Sequence, residues 1–269
     1  MMKLRIATYN IHKGVSAFGR HERIHSIKEA IAALDADMVF LQEVQGQHDM
    51  HARRHISWPQ EGQHEFLAGA SHHVAYGMNA VYEHGHHGNA LLSRFPITTH
   101  VNHDVSDHAY EQRGILHAVV RAGQVDIHCF VIHLGLFAAS RRRQIQALID
   151  TIQRDTPVDA PLIIAGDFND WNQRLSGALY EQLGVVEAFD VDGQHGAEKF
   201  QRKGFAHLFS QSGAAHARTF PAGFPWLCLD RVYLRGFQIA AANVMTGDPW
   251  RKLSDHVPIV AHLELRHLR

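Results

Sequence analysis

An apolar run, Leu162-Ile163-Ile164-Ala165, stops abruptly in Gly166-Asp167-Phe168-Asn169-Asp170. Near the C-terminus Leu253 leads into Ser254-Asp255-His256-Val257-Pro258, and apolar sequence resumes at once. A short unbroken apolar run bounded by such residues reads as a strand buried on both faces. Its polar tip then holds carboxylate, carboxamide or imidazole groups rigidly at a cleft, the usual way of building a site on a mixed α/β scaffold.

The rest of the chain supplies many more strands. Leu4 to Asn10, Asp37 to Glu43, Ile115 to Arg121, Val125 to His133, Leu229 to Leu234, Phe237 to Met245 and Pro258 to Leu265 all read as strands. Val74–Tyr82 and Gly88–Leu92 read as a strand pair around a Gly/His loop at 84–88, and Ala122-Gly123 as a hairpin turn. Helical spacing appears at Ile24, Ile27, Ile31 and Leu34. A second helix is expected over Arg141–Gln153 with Ser140 as its N-cap, and a third over Leu175–Leu183 ended by Gly184. Residues 46–59 read as polar and at most partly helical, and 190–224 as irregular surface. Strands outnumber helices and the helices are interleaved among them. That order predicts two sheets packed face to face with helices outside, in one domain over residues 1–269. No G-x-G-x-x-G follows the first strand, which argues against a dinucleotide fold.

A chain of 269 residues with 45% hydrophobic content can bury a large core without staples. Cys129 and Cys228 each sit in an apolar run. Two buried thiols fit a reducing compartment better than a secreted disulfide framework, with a Cys129–Cys228 bridge as the alternative. The N-terminus enters a strand directly and no stretch is apolar enough to span a bilayer, so the cytoplasm is the expected location. A formal net charge of −1 gives no broad attraction for a polyanion. Nine of the 24 histidines fall between His48 and His87, at irregular spacings. They read as a polar surface rather than an organised metal cluster, since zinc sites use few ligands at set offsets.

Polar residues collect at the ends of the expected strands: Asn10, Glu43, His133, Asp167, Asn169, Asp230, Asp255 and His256. Each alone has a bland reading as a turn, a solvated end or a satisfied core histidine. Together, oxygen donors suit a hard cation such as Mg²⁺ or Mn²⁺. Asp with His supplies proton transfer. The set describes metal-assisted hydrolysis of a phosphate ester.

The motifs Thr8-Tyr9-Asn10-Ile11-His12, Leu41-Gln42-Glu43-Val44, Gly88-Asn89-Ala90-Leu91-Leu92-Ser93-Arg94-Phe95-Pro96, His133-Leu134-Gly135-Leu136, Gly166-Asp167-Phe168-Asn169, Leu229-Asp230-Arg231-Val232 and Ser254-Asp255-His256-Val257-Pro258 resemble, in order, those of the endonuclease/exonuclease/phosphatase superfamily. The resemblance runs from residue 4 to about residue 263. It implies a DNase I-like fold, a four-layer α/β sandwich of two mixed β-sheets with helices outside. It implies that Glu43 binds Mg²⁺, with Mn²⁺ able to substitute, and that Asn10 and Asp255 stand in the metal region. Asp167 would orient or deprotonate the attacking water, and Asn169 would help position it. His256 would contact the scissile phosphate, held by Asp230. His133 stands where DNase I-like and sphingomyelinase-like members have histidine and abasic-site endonucleases have tyrosine. Arg113 resembles a family arginine near the phosphate and reads equally well as a surface charge. Asn89 and His12 are further candidates for the phosphate, although many relatives have Asn or Asp at the position of His12. The Arg141-Arg142-Arg143 run opposes a helix dipole and suggests a use on phosphate, but a solvated surface run is the expectation.

The resulting expectation is a Mg²⁺-dependent phosphodiesterase. Its substrate would be nucleic acid, a phospholipid or sphingolipid headgroup, or a soluble phosphodiester, with no obligate protein partner. A catalytically silent binding protein on the same fold is the alternative; it predicts a missing metal or base residue, and Glu43, Asp167, Asn169, Asp230 and His256 all stand intact. A His-rich metal-binding protein is a third reading, separable by metal stoichiometry.

Overall fold

A computed structural model describes residues 2–16, 21–108, 110–171, 175–190 and 217–266. Its strands form two six-stranded sheets. The first runs in the order β11 (Phe237–Val244), β12 (Ile259–Leu265), β1 (Lys3–Asn10), β2 (Met38–His48), β4 (Gly85–Ser93), β3 (His73–Tyr82). The second runs β5 (Ile97–Asp104), β6 (Gly114–Ala122), β7 (Val125–His133), β8 (Leu162–Asp167), β10 (Asp230–Arg235), β9 (Val186–Glu187). β1 with β2, and β7 with β8, are parallel; the other pairs are antiparallel. Both sheets are therefore mixed.

Side-chain alternation divides each central strand between two cores. Leu4, Ile6, Met38, Phe40 and Leu91 of the first sheet meet Leu116, Ala118, Val120, Cys129, Val131, Ile163 and Ala165 of the second. The opposite faces carry Ala7, Val39 and Leu41 toward α1 (Ile24–Ala33) and α3 (Gln63–Ala68). On the other side Phe130, Ile132, Leu162 and Ile164 pack on α4 (Ala138–Asp155) and α5 (Ser176–Leu183). The result is the four-layer sandwich. Burial on both faces is why β1, β2, β7 and β8 read as near-continuous apolar runs.

Several local readings change. β4 starts at Gly85, so the loop expected at 84–88 is a tight turn, and His86 and His87 lie in the strand. β5 was not expected: its sequence ITTHVNHD is polar and mostly exposed, as suits an edge. The 46–59 stretch carries the end of β2 and a short helix, α2 (Asp49–Arg54). α4 begins at Ala138 with Phe137 before it. Ser140 is therefore no cap; it is buried inside the helix and donates to Asp107 Oδ2 at 2.6 Å. Of the arginine run, Arg142 and Arg143 are exposed, as expected of a solvated run, and Arg143 pairs with Asp107; Arg141 departs from it, being buried and donating to the Gly135 and Leu136 carbonyls. Of the surface expected at 190–224, residues 191–216 lie outside the described ones. Cys129 and Cys228 are both free and buried.

Phe40 is fully buried between the sheets. Phe40→Ala is expected to cost about 3–5 kcal/mol. Urea unfolding should show a lower midpoint with an unchanged slope.

His51 packs against His48, with ring centroids 3.7 Å apart, and against Trp58 at 4.8 Å. Burial, reinforced by the neighbouring His48 and His55, pushes it down to about 4. In the unfolded chain an imidazole titrates near 6.5 and takes up its proton first. Stability from this group is full above about pH 6.5 and is lost as pH falls toward 4. The thermal midpoint should fall between pH 7 and pH 5, and fall less in His51→Gln. An equal fall in both proteins would show that His51 does not contribute.

Candidate active site

The inward-facing alternation that builds the central core does not stop where the apolar residues stop. In β1, Leu4 and Ile6 are followed on the same face by Thr8 and Asn10. In β7, Cys129 and Val131 are followed by His133, and in β8, Ile163 and Ala165 by Asp167. Asp230 precedes Val232 and Leu234 in the same sense. Register lines them up: His133 lies beside Asp167, and Asp167 beside Asp230, on three adjacent strands. The site is thus the open end of the space between the sheets.

Glu43 reaches it by a different device. Strict alternation after Phe40 and Gln42 would turn Glu43 toward the helices. The β2–β4 register shifts between Leu41 and Val44, and Glu43 takes φ +55°. This bulge re-aims the carboxylate into the cleft. A second positive-φ element faces it: His12 (φ +46°), Lys13 (φ +60°) and Gly14 (φ +70°) form one tight turn. Gly14 has no room for a Cβ, which would lie 2.5 Å from Gln63 Nε2. That same Gln63 amide donates to Lys13 O at 2.9 Å and accepts from Gln45 N at 2.9 Å, tying the turn to the bulge. Gly166 is equally obligatory: φ is +149° and a Cβ would sit 2.0 Å from Ile132 O.

Asp167 is the hub. Its Oδ2 accepts from Asn10 Nδ2 at 3.2 Å and lies 3.6 Å from His133 Nε2 and 3.7 Å from His256 Nε2. Its Oδ1 accepts from Asn169 N at 2.9 Å, and Asn169 Nδ2 donates to Leu134 O at 2.9 Å. Asn10 Nδ2 also reaches Glu43 Oε1 at 3.3 Å, so that Asn10 links Glu43 of its own sheet to Asp167 of the other. His256 Nδ1 is 2.7 Å from Asp230 Oδ2. Asp255 Oδ2 lies 3.3 Å from His12 Nδ1, and Lys13 Nζ 3.1 Å from Glu43 Oε2.

Protonation follows from this arrangement. Burial opposes the charged form of His256. The attraction and hydrogen bond of Asp230, with Asp167 and Asp255 adding to it, outweigh burial and raise the imidazole to about 10. Burial pulls His133 the other way, helped by Arg113 and opposed by Asp167 and Glu43, down to about 4. At pH 7 one ring is an imidazolium and the other neutral. Burial and the Asp230 charge raise the Asp167 carboxyl above its ordinary value, against the pull of His256 and His133. Burial would raise Glu43 as well, but His133, Lys13 and His12 together hold it far below the usual carboxylate range.

The residues fit a divalent cation. Asp230 Oδ1 is buried and makes no hydrogen bond, and the buried Glu43 Oε2 has the Lys13 ammonium 3.1 Å away. Asp167 and Asp230 bring carboxylate oxygens within 4.8 Å of each other. A buried oxygen without a hydrogen bond in an acidic cleft is what a hard metal ion satisfies.

The endonuclease/exonuclease/phosphatase family profile matches residues 7–256. The chain belongs to this family. Family members are in general phosphoester hydrolases that depend on a divalent metal. The uncharacterized protein YbhP of Escherichia coli K12 is 38% identical over 265 residues, covering 97% of this chain and 96% of YbhP. An endonuclease/exonuclease/phosphatase protein of Beutenbergia cavernae superposes with a TM-score of 0.74 at 21% identity, over 99% of this chain and 72% of that one. D. rerio TDP2 complexed with single strand DNA product superposes at 0.67 and 18% identity, over 98% and 100%. At these identities the structures speak for the fold alone.

In this family member two of the three candidate phosphate residues join the site and one does not. His12 meets Asp255, and lies 3.9 Å from Glu43 Oε2. Arg113 donates to Leu134 O at 3.3 Å, the carbonyl Asn169 also uses, and its charge acts on His133. Asn89 is fully buried and spends its amide hydrogens on Gly114 O and Val131 O, at 3.0 and 3.2 Å. It ties the sheets together and has no donor left for a phosphate. His133 has a carboxylate neighbour that the sequence reading did not assign, Asp167. Lys13 and His87 were missed. His87 was grouped with the surface histidines, but it is buried deeply enough to be pushed down to about 4, within range of Lys13, Glu43 and Arg113. The available signal for Lys13 was its place three residues beyond Asn10, next to an obligatory glycine.

His256 should keep its ring proton beyond pH 8 in NMR titration of the imidazole nitrogens. In Asp230→Asn the ring should titrate at clearly lower pH, since the largest attraction is gone. A titration unmoved by that substitution would show that Asp230 does not hold the charge.

Proposed function

We propose that this chain is a Mg²⁺-dependent phosphodiesterase, with Mn²⁺ able to replace Mg²⁺. The observation that carries the reading is the single point where Asp167, Asn10, His133 and His256 converge, with Glu43 bridged to it through Asn10. A proton acceptor, a fixed imidazolium and an oxygen-rich metal region then meet at the open end of the space between the sheets.

Glu43, with Asn10 and Asp255 around it, would hold Mg²⁺, which would supply Lewis-acid charge to the phosphoryl group. Asp167 takes the proton of the attacking water; its raised carboxyl makes it a better acceptor than an ordinary aspartate. Asn169, fixed by its own backbone and by Leu134 O, keeps Asp167 aimed. As the water oxygen bonds to phosphorus and the ester P–O bond breaks, negative charge grows on the phosphoryl oxygens. The His256 imidazolium, kept charged by Asp230, stabilises it. Neutral His133 and the permanently charged Arg113 bind the phosphate from the second sheet, and His12 borders the metal region. The leaving oxygen takes its proton from the His256 ring or from solvent. Exposed Leu136, Phe137 and Trp171 follow β7 and β8 at the same sheet end, so an apolar or aromatic ester arm finds cover there.

Activity on bis(p-nitrophenyl) phosphate, single- and double-stranded DNA, RNA, phospholipid vesicles and a simple phosphomonoester, each with Mg²⁺, Mn²⁺ or EDTA, tests the proposal. Hydrolysis of a diester with Mg²⁺ and none in EDTA is expected. Full turnover in EDTA overturns the metal mechanism.

Glu43→Gln should raise the Mg²⁺ concentration needed for half-maximal activity and be rescued by excess metal. Asp167→Asn should lower kcat roughly 10²–10⁴-fold and resist rescue. Equal rescue of both variants would mean that the two roles are wrongly divided.

A further inference from the structure

We propose that His103, His117 and Asp155 form a second metal site, for a borderline divalent cation of the zinc class, on the outer face of the second sheet. The three come from separate elements, β5, β6 and the last residue of α4. Each offers one ligand atom, and the three atoms lie within 4.8 Å of one another. The site is separate from the cleft. Register pairs His117 with Phe130, which packs against α4, whereas His133 faces the opposite sheet. Asp155 also lies at the far end of 18-residue α4 from the His133 loop, about 25 Å along the helix axis.

Two observations indicate a ligand rather than a chance grouping. His103 Nε2 is shut off from solvent and has no hydrogen-bond partner. His117 is held as metal-binding histidines are held: its ring stacks on Phe130 at 4.1 Å, and its Nε2 lies 3.0 Å from His128 Nδ1. His128 is in turn within 3.4 Å of Thr156 Oγ1.

The donor set selects the ion. Two imidazoles and one carboxylate suit zinc-class cations and are poor for Mg²⁺ or Ca²⁺, which prefer oxygen throughout. Zinc bonds of about 2.0–2.1 Å in a tetrahedron place ligand atoms roughly 3.4 Å apart. Rotation of the partly exposed His103 and Asp155 side chains closes that gap, and water takes the fourth position. Asp155 is now paired with Arg154, its chain neighbour, at 2.7 and 2.8 Å. Arg154 is well exposed, and such a pair yields easily. The bound ion would fasten the end of α4 to β5 and β6.

The test uses full-length protein stripped of transition metals and saturated with Mg²⁺. Zn²⁺ binding is followed by calorimetry, and Co²⁺ serves as a spectroscopic stand-in whose visible absorption reports tetrahedral geometry. Wild type is compared with His103→Ala, with Asp155→Asn and with a His48→Ala/His51→Ala control from the His-rich segment. The expected result is one Zn²⁺ equivalent that binds at least about tenfold more weakly in His103→Ala and Asp155→Asn and unchanged in the control. Zn²⁺ should also raise the Tm of wild type but not of the two variants. Unchanged Zn²⁺ affinity and stoichiometry in both variants overturns the site. So does a loss confined to the control, which would place the ion on the His-rich surface. The readout is binding, so it stands whether or not the phosphodiesterase reading holds.

Discussion

Negative charge gathered in a poorly solvated space is the constraint on which this site depends. Glu43, Asp167, Asp230 and Asp255 all point into the open end between the two sheets. Like charges about 4 Å apart repel by roughly 4 kcal/mol at an effective dielectric of 20. The fold answers with cations of two kinds. His256 is charged because Asp230 is in contact with it, and Lys13 is charged intrinsically and lies against Glu43. What is left over, the carboxylate charge these cations do not balance and the unpaired Asp230 Oδ1, is the part of the imbalance that a divalent ion would remove.

Holding such groups together demands rigidity, and the backbone supplies it at specific points. The Leu41–Val44 bulge redirects Glu43, and the His12–Gly14 turn presents Lys13. Both adopt left-handed backbone that most residues avoid. Gln63 ties the turn to the bulge, so the strain is stabilised by hydrogen bonds from a neighbouring helix. Asn89 does comparable work between the sheets. Its two donors satisfy carbonyls of β6 and β7, and fix the spacing that brings Asn10 within reach of Asp167. Arg141 does it for the loop after His133, by satisfying the carbonyls of Gly135 and Leu136. Asn89 and Arg141, polar groups with a suggested use on phosphate in the sequence, thus spend donors on backbone carbonyls.

The two histidines of the site show how environment divides identical side chains. His133 and His256 lie at similar distances from the same Asp167 oxygen. Only His256 has a carboxylate on its other nitrogen, and only it is held charged. Paired groups whose environments push their protonation apart are what acid–base chemistry on a phosphate requires.

Much of this was legible in the chain itself. Buried strands announce themselves by unbroken apolar runs, because both faces are covered, and their polar tips then stand out. That is why the two-sheet sandwich and the residues at Asn10, Glu43, His133, Asp167, Asp230 and His256 could be read from sequence. Edge strand β5 could not be read, because its sequence ITTHVNHD is mostly polar, whereas the edge strands β11 and β3 keep enough apolar residues to be seen. Ser140 mimicked a helix cap because capping depends on where the preceding loop turns, which is a tertiary matter. Asn89, Arg141 and His87 depended on which carbonyls and charges the folded chain brings near them, from strands and loops tens of residues away. Residue type and local spacing therefore determined the strands and the chemical groups at their ends. Only the packing of one sheet on the other decided which groups meet, which are charged, and which serve merely to hold the backbone, because those outcomes depend on distances between segments that local sequence does not encode.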